Sequence, residues 1–151
     1  MTTSVIRFIN IVLAAILAGV SFGIWIGFNP MGLNASTYIE QQQNMLHSLR
    51  ILMVLLVFLA TIITIVSAYI QISNRATVIA LLTAAILFII CILITRFGNK
   101  PIDDTILSWT SYSIPDNWTE LRNKWWILHK YRTIAELGAL FIITWTHMKK
   151  N

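Results

Sequence analysis

Arg122, Trp125, His129, Arg132 and Glu136 follow one another at spacings of 3, 4, 3 and 4 residues. That repeat puts side chains on one face of an α-helix. A histidine exchanges a proton near neutral pH, guanidinium groups hold a developing anion, and an indole supplies a flat apolar wall. Together they suit removal of a proton from a hydrophobic, phenol-like molecule and retention of the resulting anion. Lys124, Trp126 and Lys130 fall off this face and read as an interfacial collar, the lysines reaching for headgroups. Arg132 and Glu136 are also an i,i+4 pair with the cation first, the weaker order. A plainer reading therefore stays open, in which the two neutralise each other and His129 is a satisfied interfacial residue.

The elements that must position this row are membrane-like. Of 151 residues, 57% are hydrophobic and 11% charged, against about a quarter charged in soluble domains. A bilayer core needs about 20 apolar residues per helix, and lipid requires every backbone amide to be paired internally. Runs at 8–28, 51–70 and 76–96 meet the length. A fourth, 126–147, meets it only by including Lys130 and Arg132. The expected fold is all-α, a single integral membrane four-helix bundle over residues 1–151. It has a helical extension at 35–50 and a long extramembrane loop at 97–123, which Trp109, Tyr112 and Trp118 pack against the bundle. The first run reads as a span and not as a cleaved leader. Four spans put both termini and the turn near Arg75 on one side, with Arg7, Lys149 and Lys150 and no acids. The expectation is cytoplasmic termini in a bacterial cytoplasmic membrane, although lysine and arginine counts alone do not decide it.

Other features are weighed beside the row. Ala15, Gly19, Gly23 and Gly27 recur every four residues and allow close backbone approach, as a packing seam in the bundle, a homo-oligomer face, or a groove for a flat ligand. Gln42 is the odd polar group on the apolar side of the 35–50 extension; it either faces the polar row, since a buried amide needs partners, or bonds within the loop. Asp103 and Asp104 are sequence neighbours and receive little weight. The lone Cys91 excludes an intrachain disulfide, and no Cys/His set has metal-ligand spacing. No metal is expected. The net charge of +5 lies beside apolar spans, so nucleic acid is set aside as a partner in favour of lipid and a hydrophobic small molecule.

Four stretches, "GVSFGIWIGFNP", "EQQQN", "TRFGNKPID" and "NWTELRNKWWILHKYRT", resemble the anthrone oxygenase-like family of small four-span membrane proteins, and locally its largely uncharacterised bacterial branch. The resemblance covers most of the chain. It implies a cofactor-independent oxygenase that turns an anthrone into an anthraquinone with O₂. Residue by residue it marks Asn99, Pro101, Trp118, Arg122, Trp125, His129 and Arg132, whereas Glu136 stands where the family pattern is apolar.

Three functions compete. In an oxygenase or oxidoreductase, His129 is the base, Arg122 and Arg132 hold the anion, and Trp125, Trp118, Gln42, Asn99, Gly23 and Glu136 line the substrate slot. In a binding or carrier module the ligand is a quinone, a lipid or a haem, the last with His47 and His129 as axial ligands. In a structural or assembly subunit, the Gly19/Gly23/Gly27 face is the contact.

Overall fold

The computed structural model describes residues 2–110 and 113–148; Tyr112, Lys149 and Lys150 lie outside the described residues. Those residues are all helical or irregular, without a strand. Helix α1 (Thr2–Gly27) ends before Asn29 and Pro30, and a 3₁₀ turn (Pro30–Gly32) leads to α2 (Ala35–Ile70). The Asn34 side chain caps α2 by accepting from the Thr37 amide at 2.9 Å. Asn74 does the same for α3 (Arg75–Ile94) through Thr77 at 3.1 Å. Such caps satisfy amides that the first helical turn leaves without partners.

The segment 97–123, expected to be a loop, is mostly helix. After α3 comes one π-helical turn (Thr95–Asn99), then α4 (Lys100–Leu107), and the last helix, α5, already begins at Trp118 (Trp118–Met148). Only 108–117 remain between helices. Pro101 lacks an amide hydrogen and ordinarily disrupts the helix around it. Here Pro101 sits in the first turn of α4 and the Lys100 amide bonds back to the Thr95 carbonyl, so the wider turn absorbs the disturbance. Three contacts hold this region. The Asn99 amide donates to the Trp125 carbonyl at 3.2 Å, and Gln43 of α2 donates to the carbonyls of Ile106 and Trp109 at 2.8 and 3.0 Å. Gly98 lies so near α5 that a Cβ there would stand 2.8 Å from Leu128 Cδ1.

Helix α1 packs on α2 and α5, and α3 packs on α2 and α5. One core lies along the middle of the helices, with Leu17, Leu81, Phe88 and Ile143 fully buried; a second, aromatic one caps the end that carries Tyr38, Trp109, Trp125 and Trp126. The outward surface is apolar, with Phe8, Ile26, Ile51, Ile79, Leu93 and Phe141 all exposed, while Asn10, Gln42, His129 and Glu136 are buried. Helices spanning Thr3–Gly32, Ala35–Ile70 and Arg75–Leu107 are long and apolar enough to cross a membrane. An apolar exterior around buried polar groups is the arrangement lipid demands, and the chain is an integral membrane protein.

The small-residue stripe corrects an expectation. Ala15, Gly19, Gly23 and Gly27 are all exposed, and a Cβ on any of the three glycines meets nothing within 4 Å. Helix α1 instead turns Ala14, Leu17, Ala18 and Ser21 inward, a stripe one residue away that offers more contact area.

Candidate functional site

The polar row of α5 faces inward. His129 is fully buried and its ring lies parallel to Trp125 and Trp126, with centroids 5.2 and 5.6 Å away. Trp126, expected in the collar, is therefore buried with it; Lys124 is exposed. Arg132 Nη2 donates to His129 Nδ1 at 3.2 Å. That leaves the ring proton on Nε2, which donates to the Ser21 carbonyl of α1 at 3.1 Å. Both ring nitrogens are thus committed. In this arrangement the His129 lone pair accepts from a guanidinium, so the ring shows no free nitrogen for the base role expected of it, and its bond orients Arg132. His47 is exposed on α2, so the two histidines considered as axial ligands do not share a pocket.

Arg132 is fixed on three sides. Besides His129, its Nη1 donates to Thr95 Oγ1 of the π turn at 3.3 Å, and its Nε lies 3.6 Å from Glu136 Oε1. The last contact is an ion pair too long for a hydrogen bond. Glu136 has 1% of its side chain exposed, and its Oε2 has no hydrogen-bond partner.

Arg132 and Glu136 are the polar floor of a cavity of about 480 Å³ bounded by α2, the end of α3, the π turn, α4 and α5, with Ile24 of α1 at one wall. The volume suits a small molecule. Its walls are apolar, from Met45, Leu49, Met53, Val57 and Ile92, with Trp125 beside them. Arg50, Arg96 and Lys100 line it as well; Arg50 and Lys100 both pair with Asp104 outside. Ile51, Leu55 and Phe58 belong to the lining and are also exposed on the outer face of α2, so the cavity is reached from the apolar surface. Asp103, buried at its edge, accepts from Trp125 Nε1 at 2.7 Å and fixes the indole plane.

The remaining expected site residues lie elsewhere. Arg122 does not line the cavity. It stacks on Trp118 at 4.9 Å and donates to Asn123 and, at 3.4 Å, to the Pro30 carbonyl, clamping α5 to the 3₁₀ turn. Ten residues at about 1.5 Å each separate it from Arg132 by about 15 Å: a shared helix face is a line, not a point. Trp118 packs against Tyr38 at 5.8 Å and is part of the same clamp. Gln42 is fully buried with both amide atoms unpartnered, but outside the cavity lining. Asn99 supports the Trp125 backbone, and Gly23 faces outward. Lys100 and Asp103 were not expected in the site because their segment read as a loop, and Thr95 and Arg96 because they stood at the end of an apolar span. The spacing of Arg96, Lys100 and Asp103, four and three residues apart, is the helical signal that was there to find.

A family model described as anthrone oxygenase matches residues 42–142, which takes in the whole cavity lining except Ile24. Neither a curated protein nor a solved structure matches the chain.

Proposed function

Since the chain belongs to the anthrone oxygenase family, we propose that it is an O₂-dependent oxidoreductase of the membrane, converting the methylene of a hydrophobic hydroxyaromatic substrate into a carbonyl without a bound cofactor. The observation that carries this is the apolar cavity whose polar floor is Arg132 and Glu136. A planar substrate enters from lipid past Ile51 and Phe58 and lies against Trp125. Loss of a proton from its methylene gives a carbanion delocalised onto the ring oxygen, and that oxyanion meets the guanidinium of Arg132. His129 and Thr95 hold the guanidinium in place before charge develops, which is where fixed donors have most effect. The carbanion reduces O₂, a C–O bond forms, and loss of water from the hydroperoxide leaves the carbonyl. The balance is one O₂ consumed and one water released per methylene oxidised.

In this reading α5 is a fourth span and the fold a four-span bundle. The outward residues of α5, Ile127, Tyr131, Ile134, Phe141 and Trp145, are apolar and exposed, and its polar ones are turned inward. The basic residues on the side of the termini have no acidic neighbours, which favours cytoplasmic termini in a bacterial cytoplasmic membrane. The basic groups Arg50, Arg96 and Lys100 also favour a second reading, a carrier that binds a quinone or an anionic lipid without chemistry.

One experiment separates the two. The protein in lipid particles is given anthrone and O₂, and oxygen uptake is followed with anthraquinone absorbance. The expected result is one-to-one stoichiometry above the rate of spontaneous oxidation, lowered by about 10²–10³ in Arg132→Gln. Binding without turnover in the wild type selects the carrier.

A further inference from the structure

We infer that Glu136 is the group that takes the proton from the substrate carbon, a role that rests on the oxidoreductase reading above. Four observations converge. Glu136 lines the cavity at its floor. It is almost wholly buried, and neither Oε2 nor the neighbouring Ser21 hydroxyl closes a hydrogen bond of normal geometry, so Oε2 keeps a lone pair for the substrate while Ser21 stands beside the carboxylate. Its attractive neighbour, Arg132, stands at 3.6 Å from the other oxygen and spends its two terminal nitrogens on His129 and Thr95. The guanidinium therefore steadies the carboxylate without covering Oε2. The competing groups are taken: His129 is bonded at both nitrogens, and Asp103 accepts the Trp125 indole N–H.

The chemistry closes with a single carboxylate. Oε2 receives one methylene proton while the C–H electron pair stays on the substrate. Addition of O₂ to that carbon gives a peroxide anion, which recovers the proton from the Glu136 carboxyl. The regenerated carboxylate takes the second proton from the same carbon; the C–H pair becomes the carbonyl π bond, the O–O bond breaks, and the departing hydroxide takes that proton back from the Glu136 carboxyl and leaves as water. Glu136 ends as it began, and O₂ is the oxidant consumed. A base placed within reach of the proton it removes contributes about 10²–10⁴ in rate.

The test uses the full-length protein in lipid particles and reads proton removal without oxygen. Under anaerobic conditions in D₂O, the wild type is expected to exchange the methylene hydrogens of anthrone faster than buffer does. Glu136→Gln, with the same shape and no proton acceptor, should bind anthrone as the wild type does, by quenching of tryptophan fluorescence, yet lose exchange and aerobic turnover by about 10²–10⁴. Glu136→Asp, its carboxylate withdrawn by one methylene, should fall between them, and Glu120→Gln, exposed at the start of α5 and away from the cavity, should keep exchange. Wild-type exchange in Glu136→Gln, or a Glu136→Asp rate no higher than the Gln rate, overturns the assignment while leaving the proposed reaction standing. Wild-type protein that neither exchanges nor oxidises anthrone overturns both.

Discussion

Two helices of this protein carry a stripe of special residues at nearly the same spacing, and the fold turns them in opposite directions. On α5, Arg122, Trp125, His129, Arg132 and Glu136 face the interior; on α1, Ala15, Gly19, Gly23 and Gly27 face out. The difference lies in what each stripe loses by the wrong choice. A guanidinium, an imidazole and a carboxylate facing lipid each forgo partners at a cost of several kcal/mol, so α5 has one orientation. Glycines lose nothing by touching lipid. The α1 orientation is settled instead by Leu17 and by Ser21, whose carbonyl receives His129. Spacing defines a face; only the energetic penalty of exposing it says which way it points.

The comparison is most sharply tested at Arg132. Removing one partner of a buried ion pair leaves an uncompensated charge and costs about 3–5 kcal/mol. Arg132→Met should lower stability by that order in reversible denaturation in mixed detergent, and Arg132→Met with Glu136→Leu should recover most of it. If the single variant is as stable as the wild type, the α5 row is not held inward by its charges.

His129→Phe comes next. The aromatic stack with Trp125 and Trp126 survives, but the Arg132 guanidinium and the Ser21 carbonyl each lose a partner, at about 1–3 kcal/mol for the polar group left unpaired. The same variant should reduce turnover by loosening Arg132, whereas anthrone binding, set by the apolar walls, should persist. Complete retention of activity would show that Arg132 is aimed by Thr95 alone.

Much of this was legible in the chain. The apolar runs announced long helices, and the row from Trp125 to Glu136 announced a face that had to be covered. The site itself was legible only in part. Arg132, Glu136 and Trp125 share the cavity because they are neighbours on α5; Arg122 has the right phase and lies too far along the axis. The other wall was hidden because 97–123, with Gly98 and Pro101 near its start, read as a loop, whereas a π turn lets the helix run on through Lys100 and Asp103. Nor does periodicity reveal that both nitrogens of His129 are taken, since one of them is bonded to a carbonyl 108 positions away.

Glycines supply the smallest effects and the closest control. Gly98 lies where α5 presses on the π turn, and Gly98→Ala would put Cβ 2.8 Å from Leu128 Cδ1. The Leu128 side chain can rotate away, so about 1 kcal/mol is expected, near the low end for overpacking. Gly23→Ala meets nothing within 4 Å. In a helix it gains up to about 1 kcal/mol from propensity, and cavity binding of anthrone should not move. The pair thus distinguishes a glycine required by a neighbouring helix from one whose outward face meets none of the described residues. Should Gly23→Ala prove the more damaging of the two, the outward face of α1 is in contact with something outside the protein chain, and the contrast between the stripes becomes one between two covered faces.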